Sequence, residues 1–162
     1  MTNTFDPRAI LGLLGWFALV FAAAWIGSSS TMPEIQGWYA TLQKPSFNPP
    51  DWIFGPVWTT LYALMAISAW LVWRPAGFAG ARLPLAVFLI QLVLNTLWSI
   101  LFFGQHEIGA ALVDIALLWL AIVLMIVLFI RRHRLAGLLQ VPYLAWVSFA
   151  SVLNYEIWRL NG

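Results

Sequence analysis

The side chains able to do chemistry are few, and most are set into apolar runs. They are Thr59, Thr60 and Tyr62, then Gln91 and Asn95, then Asp114, then Ser148, Ser151 and Asn154. Asp114 is the only acid well inside such a run. An acid at mid-membrane costs about 2.5–3.5 kcal/mol to insert, less near an interface, so it needs a partner, a proton or water. Its type leaves two roles open: a structural group bonded between helices, or a proton relay or ligand contact. Aromatic and amide residues recur at helical spacing. Trp58, Tyr62 and Met65 fall at i, i+4 and i+7, Gln91, Asn95 and Trp98 make a second stripe, and Ala150, Leu153 and Asn154 a third. Walls of this kind suit a flat, largely apolar ligand. The same stripes also serve to pack helices, with amides bonding between them. Catalytic sets are missing: there is no cysteine, no Gly-rich phosphate loop, and His106 and His133 stand too far apart in the chain's layout to share a metal. No catalytic residue, metal site or cofactor is expected.

The elements that must hold these residues are membrane helices. Apolar residues make up 62% of the chain and charged residues 9%, with mean hydropathy +0.86; a soluble protein of this size has no interior large enough to hide that surface. Five blocks, about 9–26, 52–73, 83–103, 108–130 and 135–158, approach or exceed the ~20 residues that cross a ~30 Å hydrocarbon core. The expectation is therefore an all-α integral membrane protein, a single five-helix domain over 1–162, with a long lid loop, 27–51, between helices 1 and 2. The first block is longer than a secretory h-region and carries Trp25 where small residues belong, so it reads as a retained anchor. Trp52, Trp73 and Trp158 fall at interfaces, and Pro142 predicts a kink within the fifth span.

Charge sets the orientation. Arg8, Arg74, Arg82, Arg131, Arg132 and Arg134 lie on one side, against Lys44 and Arg159 on the other. Six against two puts the N-terminus in the cytoplasm and the C-terminus and lid outward. The net charge of +2 is too scattered for nucleic acid. Counted from the outward helix ends, Trp58, Tyr62, Asn95, Trp98, Asp114, Ala150 and Asn154 sit within about four to ten residues, a common level beneath the lid. Near the C-terminus, Val152, Tyr155 and Arg159 fit a weak pattern proposed for sterol contact, which is equally that of an interfacial anchor.

Four segments carry a resemblance: WYATLQKPSFNPPDWIFGPVWTTLY (38–62), LNTLWSILFFG (94–104), ALVDIALL (111–118) and VPYLAWVSFASVLNYEIWRLN (141–161). Together they resemble the translocator protein family, called peripheral benzodiazepine receptor in mitochondria and tryptophan-rich sensory protein in bacteria. The resemblance implies a five-helix bundle, usually a homodimer, that binds porphyrins of the haem pathway and sterols in a pocket closed by the first loop, as transporter, scavenger or sensor. It implies pocket positions at Trp58, Tyr62, Asn95, Leu117, Ala150 and Leu153, to which the depth reading adds Trp98, Asp114 and Asn154. Lid residues Trp38, Lys44, Pro45, Pro49 and Pro50 would close the pocket, and Val152, Tyr155 and Arg159 would form the sterol motif. The alternatives are a light- or oxygen-dependent porphyrin-degrading enzyme and a regulator acting through a protein partner. Phe47 departs from the family, which commonly has tryptophan after the Lys-Pro pair. A bacterial envelope membrane is the expected location.

Overall fold

A backbone amide in hydrocarbon must find its partner within its own segment, so a chain this apolar can cross a bilayer only as helices or a closed barrel. The computed structural model describes residues 6–162, and these contain helices and no strand. The elements are α1 (Pro7–Ile35), α2 (Trp38–Thr41), a 3-10 turn (Asp51–Ile53), α3 (Phe54–Gly80), α4 (Arg82–Ser99), a π-turn (Ile100–Gly104), α5 (Ile108–Arg132), α6 (Arg134–Leu138) and α7 (Val141–Asn161). Five segments are long and apolar enough to span a membrane: α1, α3 with its 3-10 turn, α4 with its π-turn, α5, and α6 with α7. The protein is a multi-pass integral membrane protein built as a five-helix bundle. The N-terminus itself, assigned to the arginine side by charge counting, lies outside the described residues.

Three boundaries differ from the sequence reading. First, α1 does not stop at Ile26 but continues to Ile35, so the lid begins nine residues later than expected. The Ser-rich stretch that reads as a loop is helical, with hydroxyls satisfied inside the helix: Ser29 donates to the Ile26 carbonyl (2.7 Å) and Thr31 to that of Gly27 (3.0 Å). Gly27 and Gly104 also let α1 lie close against Ser99 and the π-turn. Second, α3 runs through the expected 74–82 connection to Gly80, turning sharply at Gly77, whose φ of 64° is left-handed and suits glycine. Third, Pro142 does not kink a continuous helix. The fifth span breaks at Leu139–Gln140, and Pro142 stands in the first turn of α7, where its missing N–H leaves no bond unmade.

The core is filled by Met65, Ala66 and Ala69 of α3, Phe88 of α4, and Ile122, Met125 and Phe129 of α5, all wholly buried. At the arginine-rich end α1 is pinned to α3. The Trp70 indole donates to the Ala9 carbonyl (2.7 Å), the Arg8 guanidinium lies 5.4 Å from the Trp73 ring, and that ring occupies the space a Cβ at Gly12 would need. Towards the other end α1 leaves α3 and leans on α4, with Thr96 Oγ1 near the Ala23 carbonyl (3.5 Å) and Gly27 facing Ser99.

The lid is therefore α2 plus residues 42–50. It is fastened by its own polar atoms rather than by its prolines. Lys44 donates to the Tyr39 (2.7 Å) and Leu42 (3.1 Å) carbonyls and lies 4.8 Å from the Tyr39 ring. Gln43 and Asn161 exchange two hydrogen bonds, tying the lid to the end of α7. The Tyr39 hydroxyl donates to Asn48 (2.9 Å); burial, with the nearby Asp51 charge adding to it, pushes that phenol up to about 12, so it stays a neutral donor. A clamp joins α2 to the neighbouring elements. Trp38 stacks on His106 at 4.1 Å and 10°, and His106 Nε2 lies 3.1 Å from the Glu34 carboxylate at the end of α1. His106 holds φ at 58°, a conformation that asparagine also tolerates. Replacing both clamp partners (Glu34→Gln with His106→Asn) removes a stack worth about 0.5–1.5 kcal/mol and an exposed side-chain hydrogen bond worth about 1 kcal/mol. Amide exchange across residues 37–50 is expected to rise roughly five- to tenfold, with exchange in α4 and α5 unchanged; equal protection of the lid in the double variant would show that the clamp does not hold it.

Candidate functional site

Beneath the lid, α1, α3, the α4 end and α7 enclose a cavity of about 970 Å³. α3 supplies Trp58 and Tyr62, α4 supplies Trp98, and α7 supplies Trp146, Ala150, Leu153 and Asn154. The roof is Tyr39, and the π-turn contributes Phe102 and Phe103. Asp51, at the rim, is the one charged side chain among the lining residues. The walls are thus aromatic and nearly uncharged, with Trp58 tilted on Tyr62 (5.6 Å) and edge-on to Trp146 (6.5 Å), and Trp98 stacked on Phe102 (5.2 Å).

Of the residues singled out from sequence, Trp58, Tyr62, Trp98, Ala150, Leu153 and Asn154 are brought together here. Asn95 is not in the wall. It lies 2% exposed behind Tyr62, accepting from the Tyr62 hydroxyl at Oδ1 (2.9 Å) and donating through Nδ2 to the Tyr143 hydroxyl (2.6 Å). Tyr143 in turn donates to Gln91 Oε1 (2.9 Å), so one chain of hydrogen bonds joins α3, α4 and α7. A second link joins α4, α7 and α5: the Trp98 indole donates to Asn154 Oδ1 (2.9 Å), and Asn154 Nδ2 to the Ile108 carbonyl (3.2 Å). Asp114 also lies outside the cavity. It is buried on α5, and its Oδ2 has no hydrogen-bond partner among the described residues.

Other expected positions face elsewhere. Leu117 is 52% exposed on the outer surface of α5, because the buried stripe of that helix runs through Ala111, Asp114, Ile115 and Leu118. Val152, Tyr155 and Arg159 point outward from α7, on the side opposite the wall formed by Ala150, Leu153 and Asn154. Trp38, Lys44, Pro45, Pro49 and Pro50 do not line the cavity; the lid meets it through Tyr39, and the 3-10 turn after it through Asp51 and Trp52.

Sequence reasoning missed the α1 wall. Phe21, Ala24, Trp25, Ser28, Met32 and Ile35 line the cavity. Their three- and four-residue spacing is a helical stripe running past Ile26, and that stripe was the available signal. It also missed Tyr143, the middle of the hydrogen-bond chain, and Trp146, whose indole N–H is buried without a partner among the described residues.

The model of the TspO/MBR family matches residues 16–159. The chain is 46% identical over 153 residues to the tryptophan-rich protein TspO of Archaeoglobus fulgidus, covering 94% of this chain and 99% of that protein. It is 44% identical over 138 residues to the human translocator protein, 84% of this chain and 82% of that one. It is 42% identical over 150 residues to the protein CrtK of Rhodobacter capsulatus, 90% of this chain and 92% of that protein. None of these names denotes an enzyme.

The hydrogen-bond chain makes a stability prediction. Asn95→Ala leaves the Tyr62 and Tyr143 hydroxyls short of a buried partner, a cost of about 1–3 kcal/mol. Denaturation in detergent should register that loss, while Leu117→Ala, on the exposed face, stays within about 0.5 kcal/mol of the parent. Equal stability of the two variants would mean that the chain does not brace the bundle.

Proposed function

The chain belongs to the TspO/MBR family, and from that premise we propose that its cavity binds flat, largely apolar ligands, porphyrins first and sterols second. The protein would carry, scavenge or sense them rather than transform them. The observation that carries this reading is the cavity itself: about 970 Å³, walled by Trp58, Tyr62, Trp98, Phe102 and Trp146, with Asp51 at its rim as the one charge. Small-molecule sites run to roughly 300–1,000 Å³, mostly apolar with a few placed polar groups. Trp58 supplies a face for ring stacking. Tyr62 and Trp98 already donate to Asn95 and Asn154, so the wall leaves few polar groups to orient a ligand.

The names translocator protein and CrtK, borne by relatives, fit a transport or regulatory role. Neither speaks for catalysis. The arginine-rich end would face the cytoplasm of a bacterial cell and the lid its exterior, and two copies would pair as a homodimer.

Titration of protoporphyrin IX into detergent-purified protein in the dark, followed by calorimetry, tests the ligand reading. Saturable binding is expected, and Trp58→Ala should weaken it roughly tenfold through loss of stacking area. Absent or non-saturable binding by the folded parent protein would overturn porphyrin as the ligand.

A further inference from the structure

The same residues that line the cavity on two helices are also exposed on the bundle's outer surface. On α1, Trp25 is 73% exposed and Met32 67%, with Ser28 exposed between them. Across from them on the α3 side stand Trp52, 73% exposed, and the exposed Gly55 and Thr59. All six line the cavity. A wall residue that is exposed on the outside marks an opening; these six form its two rims along the span, and the exposed Gln36 and Asp51 form its lid-side end.

The opening follows from how α1 packs. It is pinned to α3 at the arginine-rich end by the Trp70–Ala9 bond and the Trp73–Gly12 contact, and midway Phe21 still meets Tyr62 at 6.2 Å. Beyond Phe21 it is held instead by α4 and the π-turn, through Gly27 against Ser99 and Ser30 against Gly104. The two helices therefore diverge above Phe21. Trp25 lies about 15 Å below the end of α1 at Ile35, at 1.5 Å per residue. In a helix that exceeds the ~30 Å hydrocarbon core, that depth is within the acyl chains of the lid-side leaflet. Trp52, at the start of the α3 span, falls at the interface level that indoles favour.

We propose that the cavity exchanges its contents sideways with the lid-side leaflet through this mouth between α1 and α3, and that its ligand is a lipid-dissolved molecule rather than one arriving from water under the lid. The inference builds on the cavity being a ligand site, but the route is testable without knowing the ligand. Three features favour the lipid phase. The rims are indoles, a thioether and hydroxyls along the span, and their one charged group, Asp51, stands at the lid end beside Trp52. Thr59 satisfies its hydroxyl within α3 by donating to the Gly55 carbonyl (2.8 Å). The water-side route is closed by the lid's own bonds: Lys44 to Tyr39 and Leu42, Gln43 with Asn161, and Trp38 on His106 with Glu34 behind it.

The chain has no cysteine, so one introduced thiol reports alone. Ala150→Cys places it on the cavity wall, and Val152→Cys places a control on the outer face of α7. In vesicles, a membrane-confined long-chain maleimide should label Ala150→Cys at least tenfold faster than a charged, water-confined maleimide, each rate normalised to its reaction with unfolded protein. Filling the mouth by Ser28→Trp with Thr59→Trp, both exposed positions that leave the core intact, should slow the membrane-confined reagent at Ala150→Cys at least tenfold and leave Val152→Cys unchanged. Loosening the lid by Glu34→Gln with His106→Asn should speed only the charged reagent. Equal labelling by both reagents, or membrane-phase labelling that ignores the filled mouth, would overturn the lateral route. That result is separable from a failed porphyrin titration, because no ligand enters it. If porphyrin does bind, its loading from vesicles should slow by the same factor in the filled-mouth variant while loading in the lid variant does not change.

Discussion

In an apolar surround an amide or hydroxyl that lacks a partner costs more than it would in water, and the outer half of this bundle is organised by that constraint. Tyr62, Asn95, Tyr143 and Gln91 form one chain of donors and acceptors across α3, α4 and α7, and Trp98 with Asn154 ties α4 and α7 to α5. Each link fixes a helix's rotation as well as its distance, because the side chains are short and the bonds directional. The aromatic faces of Tyr62 and Trp98 are presented to the cavity because their polar atoms are held behind it. The cavity's shape and the bundle's cohesion thus come from the same bonds.

That arrangement also accounts for the character of the cavity. With most polar wall atoms already bonded, what remains is ring surface and few free donors. Recognition by such a wall rests on shape and stacking, with few directional bonds. This suits a ligand whose polar groups sit at its edge. It suits less a molecule that needs many hydrogen bonds. Asp114 stands outside this scheme, an acid on α5 with one oxygen lacking a partner. The bonds that shape the cavity do not involve it.

The five spans and much of the cavity were legible in the sequence because both signals are periodic. Hydropathy marks a span whatever it packs against, and Trp58 with Tyr62, or Ala150 with Leu153 and Asn154, keep a helical spacing that depth counting aligns. What escaped depended on partners that local pattern does not encode. Ser28 to Thr31 read as loop residues, yet the packing of Gly27 on Ser99 and of Ser30 on Gly104 carries that stretch on as helix to Ile35. Depth and resemblance put Asn95 at the pocket's level, but neither shows its partners; its two bonds to tyrosines on different helices turn it away. Leu117 was placed by resemblance alone, which carries no rotation for its helix. Pro142 marked an irregularity correctly but not its form, since a helix start and a kink share the same residue.

The extension of α1 has the widest consequence. A first helix ending at Ile26 would leave the cavity roofed by a long loop and open to water. Nine further helical residues instead give it a rigid side wall, shorten the lid to a clamped strap, and carry α1 across to α4. Because α1 cannot follow both α3 and α4, its departure from α3 opens a gap on the lipid side. The small residues that permit the departure, Gly27 against Ser99 and Ser30 against Gly104, lie on the face of α1 turned to α4 and the π-turn, while Trp25, Ser28 and Met32 stand at the gap. One helix face therefore sets the packing and the adjacent face sets the access, and a substitution that enlarges Gly27 acts on both by pushing α1 back towards α3. Closure of the cavity against water and its opening towards lipid are two results of a single choice of packing partner.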